Sequence, residues 1–201
     1  MDELWSLLSS PHLRQRYGTW HLDDANEVAT LLVFYGQWNA GKSSLINAVL
    51  DSCDLLPTGP TPETGLPVAI TFGDEPSATM ELGSVKHPIF GRSELKKAIQ
   101  RGGGDRVVRL VVPQMPWKGT ILVDLPGVNS AADAHNLVAT KFLPRADALV
   151  YVMRADQAPQ AVDLQALAAI TAQLPSAHVH IAITHTAALG RADSDKLASH
   201  I

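Results

Sequence analysis

The sequence predicts a three-layer α/β fold of phosphate-loop type with a mainly parallel central sheet, and three observations carry that expectation. Short strand-type runs rich in β-branched and aromatic residues alternate with segments of helical periodicity from residue 29 to residue 184. Strands separated by helices in this way pair in parallel and are covered on both faces. Gly36-Gln37-Trp38-Asn39-Ala40-Gly41-Lys42-Ser43-Ser44 satisfies Gly-x-x-x-x-Gly-Lys-Ser/Thr at every fixed position. Asp124-Leu125-Pro126-Gly127 ends an apolar strand about 80 residues after that loop; on its own Asp-x-x-Gly is a weak pattern, but in this place it is a strong one.

The loop has the context its chemistry needs. Residues 29–35 form an apolar strand, and Leu45, Ile46, Val49 and Leu50 recur at helical spacing after it. Glycines 36 and 41 let backbone N–H groups turn inward around phosphate oxygens, and the helix adds its positive N-terminal end. Lys42 can reach the β- and γ-phosphates and Ser43 can hold Mg²⁺. At 201 residues the chain fits one domain, with residues 1–28 as a helical lead-in and 29–201 as the phosphate-loop domain. With 46% hydrophobic and 18% charged residues it is globular, and a formal net charge of -4 gives no reason to expect nucleic acid. The single cysteine, Cys53, excludes an internal disulfide, and neither a signal-type N-terminus nor a membrane-length apolar run is present. The expectation is a cytoplasmic chain.

In order, residues 51–66 hold too many prolines and glycines for a helix or central strand and read as a functional loop. Its Thr58, Thr61 and Thr64 are all candidates to ligate Mg²⁺ and sense a γ-phosphate. Strands are expected at 67–72 and 78–82 around the turn 73–76, a helix at 93–99 stopped by Gly102-Gly103-Gly104, and strands at 106–112 and 120–123. The basic cluster Lys96, Lys97, Arg101, Arg106 and Arg109 reads as a solvated face. Asp124 can hold Mg²⁺ through water, and the Gly127 N–H can meet a γ-phosphate. A helix at 134–142, a strand at 148–153, a helix at 160–174 and a strand at 178–184 complete the pattern; His178 and His180 are strand-edge residues with no third metal-type ligand at a suitable spacing.

With both motifs in place, the chain resembles the GTPase domain of the dynamin superfamily, bacterial dynamin-like proteins in particular. The similar segments are residues 36–50, 55–64, 124–127 and Phe142-Leu143-Pro144-Arg145-Ala146-Asp147-Ala148. The resemblance implies a three-layer G domain, GTP as substrate and Mg²⁺ on Ser43, Thr64 and Asp124. It singles out Thr64 among the three threonines and gives Asn39 a monovalent cation, K⁺ or Na⁺. It implies Lys42, Thr64, Asn39 and Gly127 as catalytic, residues 36–44 with Asp124, Gly127, Thr184 and His185 as nucleotide-binding, and a homodimer or related GTPase meeting the nucleotide face. Membrane contact, in that family, comes from regions outside this domain. Val128, where Ras-like GTPases keep a glutamine nearby, fits the family. Thr184-His185-Thr186-Ala187 does not: Ala187 stands where a guanine-reading aspartate is expected, and the resemblance implies a last strand and second base-contacting loop that would be expected beyond Ile201. A nucleotide-binding module with little turnover and an ATP-using phosphate-loop protein are the alternatives.

Overall fold

The computed structural model describes residues 30–52, 54–59, 64–100, 106–113, 115–127, 142–157, 159–172, 174 and 178–188. The lead-in at 1–28, Cys53, Thr61, Gly102 to Gly104, Val128 and nearly all of the helix expected at 134–142 lie outside them. The described strands are β1 (Thr30–Gly36), β2 (Val68–Phe72), β3 (Ser77–Leu82), β4 (Val85–Pro88), β5 (Arg106–Val112), β6 (Thr120–Asp124), β7 (Ala148–Arg154) and β8 (Val179–Thr184). The helices are α1 (Lys42–Val49), α2 (Gly91–Gln100) and α3 (Ala161–Thr171), with single 3₁₀ turns at Leu143–Arg145 and Thr186–Ala188. None of the described helices is long and apolar enough to cross a bilayer.

The strands form one eight-stranded sheet in the order β4-β3-β5-β2-β6-β1-β7-β8. Four of its pairings are parallel and three, β2 with β6, β3 with β4 and β3 with β5, are antiparallel. β1 lies between β6 and β7 and is apolar along its length because both of its faces are covered. Its even positions, Leu32 and Phe34, join Ile46 of α1 and Ile99 of α2, while Leu31, Val33 and Tyr35 join Ala166 and Ile170 of α3 on the other face. This period of two is what divides the core into two layers around the sheet.

Two features depart from the local pattern. The short turn 73–76 would permit a hairpin of β2 and β3, yet β5 lies between them, parallel to β2 and antiparallel to β3. β5 carries the more buried pattern of the pair, so it takes the inner place. The fully exposed β4 extends the same edge, and its Val85-Lys86-His87-Pro88 has no alternation by which to recognise it. Arg109 corrects the reading of the basic cluster as a solvated face. Its side chain is only 16% exposed and makes a two-pronged ion pair with Glu81, at 2.8 and 3.1 Å, across the β3–β5 pair.

Candidate functional site

The parallel strands β6, β1, β7 and β8 end together, and the phosphate-loop residues sit at that end. Gly36 leaves β1 at φ 146°, so close to β7 that a Cβ there would lie 2.2 Å from the Val152 carbonyl oxygen. Asn39 (φ 59°) and Gly41 (φ 88°) turn the chain into α1, with Gly41 as its N-cap. The turn is held from β8, where the Thr184 hydroxyl donates to the Ala40 carbonyl at 2.6 Å. The same hydroxyl lies 3.0 Å from the Met153 carbonyl, a second acceptor for its proton, and 3.0 Å from Nδ1 of His185. His185, at φ 57°, brings its Cε1 within 3.5 Å of where a Cβ on Gly41 would be.

Lys42 is buried, and its ammonium donates to the carbonyls of Gly36 at 3.2 Å and Gln37 at 2.8 Å. Burial pulls its pKa below the ordinary lysine range, with the Asp124 carboxylate opposing. Ser43, Thr64 and Asp124 meet beside it. The Ser43 hydroxyl donates to Asp124 Oδ2 at 2.5 Å, and Thr64 Oγ1 is 3.2 Å from Ser43 Oγ and 3.4 Å from the same Oδ2. Asp124 is fully buried, which raises its carboxyl above the usual range despite Lys42 and the two hydroxyls. Its other oxygen, Oδ1, is buried with no hydrogen-bond partner among the described residues. Two hydroxyls and an under-satisfied carboxylate are hard oxygen donors of the kind a divalent cation such as Mg²⁺ takes.

An open cleft with a cavity volume of about 60 Å³ lies over this cluster. Trp38, Asn39, Gly41, Lys42, Ser43 and Ser44 line it on the loop side, and Thr58, Thr64 and Gly127 on the other. Gly127 packs so tightly that a Cβ would lie 2.5 Å from the Trp38 Cα. The structure thus brings these residues to one place, while Gly36 and Ala40 build the loop behind it and Thr184 and His185 border it. Gln37 directs its amide away from the cleft, to Asp163 at 2.6 Å.

Three residues that sequence reasoning passed over contribute. Asn47, buried on α1, donates to the Leu56 carbonyl and accepts from the Leu56 N–H, both at 2.9 Å, and so pins the loop that carries Thr58. A polar residue amid the apolar spacing of 45, 46, 49 and 50 was its available signal. Arg154 donates to the Asn39 carbonyl at 3.3 Å while paired with Asp156, whose carboxyl it holds below the usual range. Asp163, 4% exposed, joins α3 to the loop, and nothing in the local sequence marks it. His178 Nδ1, just before β8, and His180 Nε2 on it are buried without hydrogen-bond partners among the described residues.

The Dynamin family model matches residues 32–185, which include every element of this site. The chain belongs to the dynamin family. It is 28% identical to Dynamin-like protein A of Bacillus subtilis over 151 residues, covering 73% of this chain and 13% of that protein. It is 30% identical over 127 residues to a probable transmembrane GTPase, FZO-like and chloroplastic, of Arabidopsis thaliana, covering 63% of this chain and 12% of that one. A solved structure of an oligomerised bacterial dynamin pair, described as a mechanism for long-range sensing and tethering of membranes, superposes with a TM-score of 0.62 at 19% identity. That match covers 85% of this chain and 28% of the other. The eight-stranded α/β domain therefore has the fold of a bacterial dynamin GTPase domain, as the resemblance implied, and spans a minor part of the length of these relatives.

Proposed function

We propose that this dynamin-family domain binds GTP in the cleft above Lys42 and hydrolyses it by in-line attack of water on the γ-phosphate. The observation that carries this reading is the meeting of Ser43, Thr64 and Asp124 beside the Lys42 ammonium, with one oxygen of the buried carboxylate left unpartnered. Mg²⁺, held by Ser43 and Thr64 with Asp124 behind them, would neutralise charge on the β- and γ-phosphates. Lys42 exchanges its two loop carbonyls for phosphate oxygens, which replaces neutral acceptors by charged ones. The loop N–H groups and the start of α1 cradle the phosphates, and the Gly127 N–H meets the γ-phosphate as its segment closes. Val128 cannot orient water, so that task falls to the loops and to the face of a second GTPase domain. Asn39 supplies the side-chain oxygen for K⁺ or Na⁺ there, its main-chain carbonyl being engaged by Arg154.

Phosphate release from GTP, measured with and without Mg²⁺ and across protein concentration, tests the reading. Mg²⁺-dependent release that rises more than linearly with protein supports hydrolysis by a dimer; tight GTP binding with no release would select the alternative of a binding module. That alternative draws support from Ala187, since the 3₁₀ turn Thr186–Ala188 presents no carboxylate to a base.

A further inference from the structure

The buried carboxylate of Asp163 is placed between three parts of the molecule. It is the third residue of α3, and its Oδ2 accepts from the Gln160 N–H at 2.9 Å, which closes the capping box of that helix. Capping needs no more than this bond. The same oxygen also accepts from the Gln37 side chain at 2.6 Å, and Oδ1 accepts from the Tyr151 hydroxyl of β7 at 2.8 Å. Tyr151 is fully buried, and burial with the neighbouring carboxylate pushes its phenol far above the usual range, so it remains a donor. The main-chain carbonyl of Gln37 in turn accepts from the Lys42 ammonium at 2.8 Å and from the Ala40 N–H at 3.2 Å. Hydrogen bonds to the side chain and to the main-chain carbonyl of one loop residue therefore link α3 and β7 to Lys42.

We propose that Asp163 is a positioning residue for the phosphate loop: by holding the Gln37 amide it sets the Gln37 carbonyl, and with it the loop shape and the resting place of Lys42. The inference rests on the nucleotide reading given above. It also makes α3 the element through which a contact elsewhere on the molecule would reach the phosphates, because a shift of its first turn must move Gln37 or break the bond.

The experiment compares wild type, Gln37→Ala, Asp163→Asn and the double variant. Amide hydrogen exchange of residues 36–41 is measured without nucleotide, melting temperature is recorded, and GTP turnover gives KM and kcat separately. Each single variant is expected to speed exchange in the loop and to raise KM about tenfold while kcat changes less than about threefold. The double variant is expected to be no worse than the worse single one, since both cut the same connection. Unchanged loop exchange in both single variants, or effects that multiply in the double variant, would overturn the proposal. If Asp163→Asn fails to fold, Gln37→Ala decides, because it leaves Asp163 with its Tyr151 and Gln160 donors. Wild type that does not bind GTP sinks the nucleotide reading alone, and the exchange measurements still judge the coupling.

Discussion

At the scale of single residues, the candidate site holds its charged groups buried, a state that the proposed ligands would relieve. Lys42 is buried with its ammonium on two neutral carbonyls, so in the proposed reading phosphate oxygens would be stronger partners for its charge. Lys42→Ala is expected to weaken triphosphate binding at least tenfold, roughly 1.4 kcal/mol, without unfolding the domain. Titration calorimetry on folded protein checks it, and equal affinities would make the loop purely structural. Asp124 shows the opposite sign of the same physics. Burial raises its carboxyl, so the folded state binds the proton more tightly than the unfolded chain. Its contribution to stability is therefore full below the ordinary carboxylate value of about 4 and is lost as pH rises through the raised folded value. Mg²⁺ needs the ionised form, so the melting-temperature gain on adding Mg²⁺ should grow as pH rises through that window. A gain that stays constant with pH would remove Asp124 from the proposed cation site.

At the scale of elements, the segment between α1 and β2 has one end pinned and carries the threonines. Asn47 satisfies both backbone groups of Leu56, and Leu56 itself is buried. Asn47→Ala leaves those two groups without their partner and should cost about 2–4 kcal/mol in denaturant unfolding, from the desolvation cost of each. A loss well under 1 kcal/mol would mean that water replaces the clamp. Thr64 lies past the pinned part, near Ser43 and Asp124. Thr64→Ala is expected to spare nucleotide binding and lower kcat by on the order of a hundredfold, because its contact matters once the loop closes on the γ-phosphate. The same loss from Thr61→Ala, with Thr64→Ala active, would reassign the role.

At the scale of the whole molecule, base selection in the proposed function would depend on what the segment after β8 offers the base. His185 lies over Gly41 and Ala187 has no carboxylate, so guanine's N–H groups find no charged acceptor in the 3₁₀ turn 186–188. Residues 1–201 are expected to prefer guanine over adenine by less than about tenfold, or 1.4 kcal/mol, and to draw most of their affinity from phosphate contacts. Competition of GDP against ADP measures this, and a preference above about a hundredfold would reveal another group reading the base. The sequence by itself determined the phosphate loop, the Asp-x-x-Gly element, every described strand except β4, and the dynamin likeness. Those features are written in residues close along the chain, as fixed spacings or periods of two and 3.6. Only the tertiary structure decided that β5 enters between β2 and β3, that Arg109 is half of a partly buried ion pair, and that Asp163 reaches Gln37. Each of these depends on partners far apart in sequence, 126 residues in the last case, and hydrogen bonds formed across such distances leave no pattern along the chain.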